Sequence, residues 1–318
     1  MARSRQLWSC ILFLAVYRGQ IWAQLESPPV LIPEAASRVQ GTVVDAATGM
    51  PLADAYFSGL PRSGSTLLAA ILRQNPRFHS AISGPMSEVF VSLLRTMSGA
   101  SETSIFISDT QRQRILQSVM EDYYADISQP EVIFDTSRGW CSMLPAVARL
   151  FPESRMICTL RSPAWILDSI ERHVQSNAFI PSRLFNHDAS GSVYTRVEML
   201  TKLGVVGSAV NGLRQAWFGE DADRIIALRY KSLTEDPAKT IRKLYDSLGE
   251  PAFEHDFKHV EYDEPEFDAY LGLPGFHNVS GRKRLNSRKT ILPPEVFDYH
   301  DHSFWDMPGQ NPRGVIVL

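Results

Sequence analysis

The segment FSGLPRSGSTLL, residues 57–68, constrains the fold of this chain more than any other part of the sequence. An apolar run enters a glycine, a short loop follows, and a Ser-Thr pair opens a second apolar stretch of helical character. In the nucleotide-binding pattern G-x-x-x-x-G-K-[ST], Gly59 and Gly64 take the two glycine positions. Thr66 takes the hydroxyl position, but Ser65 stands where the lysine should be. Because unpaired N–H groups and the helix dipole attract anions, the segment predicts a phosphate-binding loop between a strand and a helix.

The missing lysine limits which phosphate compound this loop can serve. Transfer of a terminal phosphoryl group from a nucleoside triphosphate needs the lysine charge and a magnesium ion. The loop offers Arg62 instead, and a guanidinium is a permanently charged, bidentate partner for phosphate or sulfate. We therefore expect a phosphorylated cofactor that is not a nucleoside triphosphate.

The composition indicates a globular protein with one main domain, since 44% of the 318 residues are apolar and 21% are charged. A formal net charge of −3 gives no support for a nucleic-acid or acidic-membrane partner. The three cysteines show neither C-x-x-C nor zinc spacing. We therefore expect no disulfide framework and no metal site.

The N-terminus differs from the rest of the chain. Arg3 and Arg5 precede an apolar run at 8–17, and Ile21-Trp22-Ala23 offers a small-residue cleavage site, so residues 1–23 are typical of a secretory leader. An apolar leader that stays attached is the alternative, and the run is too short to span a bilayer. Residues 24–54 follow as a Pro-containing linker and a β-hairpin-like fragment, in which 38–54 resembles the opening strand and turn of a carboxypeptidase regulatory-like β-sandwich. A simple extra hairpin is the favoured interpretation of this fragment.

From Tyr56 onward, short apolar runs alternate with longer helical ones, a pattern typical of parallel strands joined by crossover helices. We predict a P-loop-like three-layer α/β/α domain with a central parallel sheet over residues 55–305, followed by a C-terminal tail at 306–318. The predicted strands are 55–58, 131–135, 155–160 and 224–229, and the predicted helices are 66–74, 85–98, 108–125, 140–150, 163–175, 193–218 and 237–248.

A second motif, RMICTLRSPAWILDSIERH, spans residues 155–173. Arg161 ends its strand, and Ser169 follows about two turns into the next helix. Both side chains can therefore face the crevice where open α/β sheets bind ligands, which predicts a second anion site. The alternative is that Arg161 forms an ion pair with Asp168 or Glu171 and that Ser169 has no role.

Taken together, the two motifs resemble those of the sulfotransferases that use 3′-phosphoadenosine 5′-phosphosulfate. The resemblance covers about residues 55–305 and includes the segment 132–163 and Tyr230 in ALRYKSLTEDP. It implies a single α/β domain without a metal, which transfers a sulfuryl group to a hydroxyl or amine and releases adenosine 3′,5′-bisphosphate. The cofactor-binding residues it implies are Pro61, Arg62, Ser63, Gly64, Ser65 and Thr66 for the 5′-phosphosulfate, Arg161 and Ser169 for the 3′-phosphate, and Tyr230 beside the cofactor.

Arg62 is the catalytic candidate for stabilising the leaving phosphate, and an acceptor hydroxyl also needs a base. Tyrosylprotein-type relatives carry a glutamate about twenty residues after the loop arginine, where this chain has Ile82-Ser83-Gly84. Glu88 is the first candidate for the base and His79 the second. The alternative is that Glu88 is a solvated first-turn helix residue and His79 a loop residue.

Near the C-terminus, a basic segment with Arg282 and Lys283 follows Gly272, Gly275 and Gly281. Such a run is either a solvated face or a lid that folds over the anionic cofactor, in which case Arg282 and Lys283 bind it. Segments 84–105 and 176–192 are expected to wall the acceptor pocket. Phe179, Phe185 and Trp217 either line that pocket or belong to the core.

Two rival functions remain open at this point. The run Val132-Ile133-Phe134-Asp135 ends in an aspartate, as the magnesium-binding strand of a P-loop kinase does. A noncatalytic nucleotide-binding relative that has lost its base is the other. The acceptor is a small molecule, carbohydrate, lipid or peptide. Donor availability favours the cytoplasm, whereas residues 1–23 favour an exported or Golgi-type protein.

Overall fold

The computed structural model describes residues 55–99, 101–125, 132–188, 191–280, 288–307, 309, 311 and 313–318. The predicted leader at 1–23 and the linker with its hairpin-like fragment at 24–54 lie outside the described residues.

A six-stranded sheet forms the centre of the fold, and every pair of neighbouring strands in it is parallel. Its strands are β1 (Ala55–Phe57), β2 (Phe78–Ser80), β3 (Val132–Thr136), β4 (Arg155–Leu160), β5 (Ile225–Arg229) and β8 (Ile316–Val317). They lie in the order β2-β3-β1-β4-β5-β8. The short strands β6 (Glu261–Tyr262) and β7 (Val279–Ser280) form a separate antiparallel pair. The interior strands are almost wholly buried, as expected where helices cover both faces of a parallel sheet.

Helices connect the strands. They are α1 (Ser65–Leu72), α2 (Met86–Thr96), α3 (Asp109–Tyr124), α4 (Leu144–Leu150), α5 (Pro163–Ser176), α6 (Val193–Thr201), α7 (Val205–Phe218), α8 (Tyr230–Glu235), α9 (Pro237–Leu248), α10 (Pro265–Leu271) and α11 (Pro294–His300). Five short 3₁₀ segments complete the described part of the chain, at Glu102–Phe106, Trp140–Met143, Arg183–Phe185, Ala222–Arg224 and Phe304–Asp306. Pro163 and Pro237 occupy the first turns of their helices, where a missing N–H costs nothing.

Side chains alternate along the strands and divide the core into two. Tyr56 and Cys158 pack in one core with α2 to α7, whereas Phe57 and Ile157 pack in the other with α1, α8 and α9. The sheet therefore lies between two helical layers. The predicted three-layer α/β/α architecture with a central parallel sheet is confirmed.

Several helices and short strands differ from the sequence prediction. The predicted helix 140–150 starts as a 3₁₀ segment and is α-helical only from Leu144, and α8, α10 and α11 were not predicted. The segment 193–218 forms two helices, because α6 ends at Thr201 and Gly204 caps the start of α7. A Cβ atom on Gly204 would lie 2.1 Å from the Met199 carbonyl oxygen, so the backbone makes a close approach that only glycine permits. The strands β2, β6, β7 and β8 were not predicted, and β8 lies within the predicted tail at 306–318.

The strand order places the two sequence motifs side by side. The chain leaves β1 towards β2 and β3, whereas it leaves β4 towards β5, so the connections after these neighbouring strands run in opposite directions. Ligands of open α/β sheets bind in the crevice at such a point, outside the carboxyl ends of the strands. Here the loop after β1 carries the first motif and the end of β4 carries Arg161 of the second.

No helix in the described part of the chain has both the length and the apolar character needed to cross a lipid bilayer.

We predict that Gly59→Ala destabilises the fold by about 1–3 kcal/mol, because core positions tolerate added methyl groups poorly. The new Cβ would lie 2.1 Å from the Thr159 hydroxyl, which is buried on β4. Denaturant unfolding measures the difference. Gly99→Ala is the matched control, because a Cβ there has nothing within 4 Å. A Gly59→Ala variant as stable as Gly99→Ala would contradict the prediction.

Candidate functional site

A cavity of about 1060 Å³ opens at the carboxyl ends of β1, β3 and β4. Among its described lining residues are the four arginines Arg62, Arg138, Arg161 and Arg288, against Glu88 as the one carboxylate. Low-dielectric walls lined by one sign of charge concentrate ligands of the opposite sign. The cavity is therefore suited to an anionic ligand with more than one charge.

The loop after β1 is fixed by β4. Ser58 N–H donates to the Ile157 carbonyl at 2.8 Å and Leu60 N–H to the Thr159 carbonyl at 3.0 Å, so the loop stays paired beyond the end of β1. Gly64, with a positive φ of 96°, then turns the chain into α1. No side chain caps α1, and Gly64, Ser65 and Thr66 all line the cavity. The first-turn N–H groups of a helix lack intrahelical partners, so this end of the cavity can bind an anion.

Ser63 differs from its neighbours in the loop. Its side chain is fully buried and does not line the cavity. The Ser63 hydroxyl donates to the Leu60 carbonyl and lies 2.5 Å from the Thr159 hydroxyl. The hydroxyl therefore holds the loop against β4. In this geometry it does not point into the cavity as a donor to phosphate, which is the role expected from the sequence.

Hydrogen bonds join the two motifs directly. Arg62 Nε donates to Ser169 Oγ at 3.1 Å, and a guanidinium N–H of Arg161 donates to the Arg62 carbonyl at 2.8 Å. Tyr230 completes the junction, because its ring lies 4.4 Å from the Arg161 guanidinium carbon and a Cβ on Gly64 would lie 2.9 Å from the same ring. Residues separated by about a hundred positions in sequence therefore form one site. This juxtaposition was expected from the sequence, whereas the direct bond from Arg62 to Ser169 was not.

The sulfotransferase family profile matches residues 56–255, which include both motifs and Tyr230. This chain belongs to the sulfotransferase family.

Several solved structures are similar to this chain at low sequence identity. The sulfotransferase domain of the Synechococcus PCC 7002 olefin synthase is 16% identical, with 78% of this chain and 94% of that chain covered and a TM-score of 0.45. The sulfotransferase domain from the curacin biosynthetic pathway is 17% identical, with coverages of 83% and 96% and a TM-score of 0.45. The sulfotransferase from Alicyclobacillus acidocaldarius is 12% identical, with coverages of 68% and 88% and a TM-score of 0.42. The search of curated proteins finds no match.

The Arg62 side chain lies towards the second motif. Besides Ser169, it donates to the Phe276 carbonyl and lies 3.0 Å from His173 Nε2, and its guanidinium carbon is 4.4 Å from the centre of the Phe276 ring. Burial, and then repulsion from Arg161, lowers the pKa of Arg62 to about 10, so it remains charged at neutral pH. Burial and the Arg62 charge lower the pKa of His173 to about 4. His173 is therefore neutral near pH 7 and accepts the Arg62 hydrogen bond through Nε2.

The alternative ion pair of Arg161 is not formed, because both carboxylates have other partners. Glu171 pairs with Arg196 at 2.6 Å. Asp168 is fully buried and accepts hydrogen bonds from the Arg172 guanidinium at 3.0 Å and the Arg288 guanidinium at 2.7 Å, and the further donors to it are the Thr290 hydroxyl and the Ile291 N–H. Burial alone would raise the pKa of Asp168, but these bonds outweigh it and hold the pKa below its ordinary value. Asp168 thereby fastens the segment 288–291 beside Ser169.

The other predicted residues fall in different places. Glu88 is exposed on the first turn of α2 and lines the cavity. His79 lies on β2, with its ring 5.9 Å from that of Tyr124, and does not line the cavity. Burial, and then the Arg73 charge, lowers the pKa of His79. Arg282 and Lys283 lie outside the described residues.

The sequence predicted only part of the cavity wall that would surround an acceptor. The predicted segment 84–105 does contribute, through Gly84, Ser87, Glu88, Val91 and Ser92. None of the described residues of 176–192 lines the cavity, and Phe185 and Trp217 belong to the core while Phe179 is 99% exposed. Residues at the end of β3 and after it, within 136–143, and residues of 267–279 line the cavity instead. The only signal for the second of these segments in the sequence was the glycine-containing stretch that precedes the basic segment.

We predict that protonation of His173 destabilises the protein between pH 6.5 and 4. Because the pKa of His173 falls from 6.5 to about 4 on folding, the unfolded chain binds the proton more tightly in this range, and stability is lost as the pH decreases. His173→Gln keeps an acceptor for Arg62 without titrating. Denaturant unfolding at several pH values should show that the free energy of unfolding decreases by at least about 1 kcal/mol more in the wild type than in His173→Gln. Parallel curves of unfolding free energy against pH for wild type and His173→Gln would contradict this prediction. The control is His302→Gln, which replaces an exposed histidine and should follow the wild type.

Proposed function

We propose that the protein transfers the sulfuryl group of 3′-phosphoadenosine 5′-phosphosulfate to a hydroxyl or amine of its acceptor. The observation that carries this proposal is the hydrogen bond between Arg62 and Ser169, at 3.1 Å, together with the bond from Arg161 to the Arg62 carbonyl. A ligand that touches both motifs must carry an anionic group at each of two points. A donor with a 5′-phosphosulfate and a 3′-phosphate meets that requirement.

The first motif would hold the 5′-phosphosulfate. The uncapped start of α1 provides N–H groups, and the hydroxyls of Ser65 and Thr66 line the same region. When the sulfuryl group leaves, negative charge develops on the 5′-phosphate, and fixed donors and cations stabilise it. Arg62 would contribute to that charge stabilisation, but its guanidinium must first leave Ser169 when the donor binds.

The second motif would hold the 3′-phosphate. Arg161, Ser169 and Arg288 all line the cavity, so two guanidinium groups and one hydroxyl are available there. Arg161 is oriented on both sides, by the Arg62 carbonyl and by the ring of Tyr230. A pre-oriented guanidinium loses little freedom on binding, which favours a planar, two-point contact with phosphate. In this proposal Arg282 and Lys283 add to the positive charge near the donor.

The kinase alternative depends on Asp135, and its surroundings weigh against a role on magnesium. Asp135 accepts a hydrogen bond from Trp140 Nε1 at 2.6 Å and another from the Tyr124 hydroxyl. Asp135 is buried and does not line the cavity, whereas Ser65 and Thr66 of the first motif do. Burial raises its pKa, although both hydrogen bonds oppose the increase. These contacts are those of a structural carboxylate in the core.

Titration calorimetry with adenosine 3′,5′-bisphosphate alone and with ATP plus Mg²⁺ tests the donor. We predict that adenosine 3′,5′-bisphosphate binds at least tenfold more tightly than ATP with Mg²⁺, because the loop lacks the lysine that a triphosphate needs. Tight binding of ATP with Mg²⁺ and no response to the bisphosphate would contradict the proposal. Transfer of ³⁵S from labelled donor into a panel of phenols, sugars, lipids and peptides then separates an enzyme from a noncatalytic binder.

We also predict that Arg161→Ala and Ser169→Ala remove the preference for a 3′-phosphate. Each should weaken adenosine 3′,5′-bisphosphate binding by about 10–100-fold, the value of a hydrogen bond to a charged group, while adenosine 5′-monophosphate binding changes by less than about threefold. Calorimetry with both nucleotides measures this difference. Arg149→Ala, an exposed arginine on α4, is the matched control. Equal losses for the two nucleotides would mean that these residues only maintain the loop.

A further inference from the structure

A buried carboxylate and a histidine form a pair in the cavity wall. Asp268 lies on α10 with its side chain fully buried, and the side chain of His277 is 13% exposed. The two are joined by two hydrogen bonds, because His277 Nδ1 lies 2.5 Å from Asp268 Oδ1 and the His277 N–H donates to Asp268 Oδ2 at 2.9 Å. His277 lines the cavity. Neither residue belongs to the two motifs.

These contacts determine which nitrogen of His277 carries the proton and which is left free to accept one. A carboxylate accepts, so the proton of the neutral imidazole lies on Nδ1 and Nε2 carries the free electron pair. The rings of Phe267 and Phe276 lie 5.3 and 5.1 Å from the imidazole centre and limit its rotation. Among the described residues, none donates a hydrogen bond to Nε2. This is the geometry of a histidine base oriented by a buried carboxylate.

The pair also lies next to the guanidinium of the first motif. Arg62 donates to the carbonyl of Phe276, the residue before His277. Around the imidazole, burial lowers the pKa of His277 most, Asp268 raises it, and Arg62 of the β1 loop and Arg138 of the β3 loop lower it. His173 on α5 also faces it. The net effect is a lowered pKa, so His277 is neutral and able to accept a proton at pH 7.

We propose that His277 is the general base of the transfer reaction and that Asp268 is its positioning residue. The inference rests on the proposed function. In the step, the acceptor O–H gives its proton to His277 Nε2 while the acceptor oxygen forms a bond to sulfur. The bond between sulfur and the bridging oxygen breaks, and its electron pair leaves with the 5′-phosphate of adenosine 3′,5′-bisphosphate. The imidazolium then releases its proton to solvent.

This assignment explains how a chain without a glutamate at 82–84 can activate an acceptor. Glu88 lines the same cavity but is exposed on a helix turn, where water solvates its charge. His277 is held by two hydrogen bonds to one carboxylate, and its ring is fixed in the wall. A base held in place contributes about 10²–10⁴-fold to a proton transfer.

The test is transfer of ³⁵S from the labelled donor to phenol, to 4-nitrophenol and to water by the full chain. We expect His277→Ala to lose about 100-fold or more with phenol and water but less than about tenfold with 4-nitrophenol, which ionises near neutral pH without a base. Added imidazole should restore at least a tenth of the lost rate. Asp268→Asn should slow phenol transfer by about tenfold or more, because Asn can leave the imidazole in the other tautomer. Binding of adenosine 3′,5′-bisphosphate to each variant should stay within about twofold of wild type.

The matched control is His259→Ala, a surface histidine whose Nδ1 lies 2.7 Å from Asp256 but which does not line the cavity. It should keep the wild-type rate. If His277→Ala keeps more than a third of the phenol rate, or if imidazole does not restore the lost rate, the assignment of His277 is wrong and the proposed function is unaffected. The same holds if Glu88→Gln shows the selective loss and His277→Ala does not. Wild-type protein that neither binds the bisphosphate nor releases sulfate would overturn the proposed function itself.

Discussion

The hydrogen bonds between Arg62 and the second motif are the contacts on which the site depends. One arginine uses its side chain to reach Ser169 and its carbonyl to receive Arg161, so the loop after β1 and the end of β4 are held at a fixed separation. Arg62 has a positive φ of 55°, an uncommon conformation for a residue with a side chain. The tertiary contacts at both ends of this residue therefore determine a backbone shape that the local sequence alone does not favour.

The charges around this contact are poorly compensated within the cavity. Burial lowers the pKa of both Arg62 and Arg161, and the charge of Arg161 lowers the pKa of Arg62 further. Like charges held together in a partly buried place carry an electrostatic cost, which an anionic ligand removes when it binds. The positive charge that an anionic ligand requires is thus in place before the ligand arrives. This is the physical meaning of arginines in place of the loop lysine, since a guanidinium stays charged even when its pKa decreases.

The sequence predicted those parts of the structure that depend on local patterns. Both motifs, the parallel sheet and most helices follow from apolar periodicity, glycines and proline positions within short windows. The small strands such as β8 were not predicted, because two residues carry no periodicity and their pairing is decided by distant neighbours. Ser63 shows the same limit at the site, since only the fold reveals that its hydroxyl contacts Thr159. The wall formed by 267–279 was missed because no pattern in the sequence connects it with the loop after β1.

The buried carboxylate of Asp168 has a consequence for how the chain's C-terminal part affects anion affinity. It is one residue from Ser169, and its charge is offset by Arg172 and Arg288. If the segment 288–291 moved away, the carboxylate would keep fewer donors and would repel any phosphate near Ser169. By thermodynamic reciprocity, an anion bound there must hold the segment in place as strongly as the segment favours the anion. Affinity at the second motif and the order of a segment more than a hundred residues later are therefore two expressions of one coupling free energy.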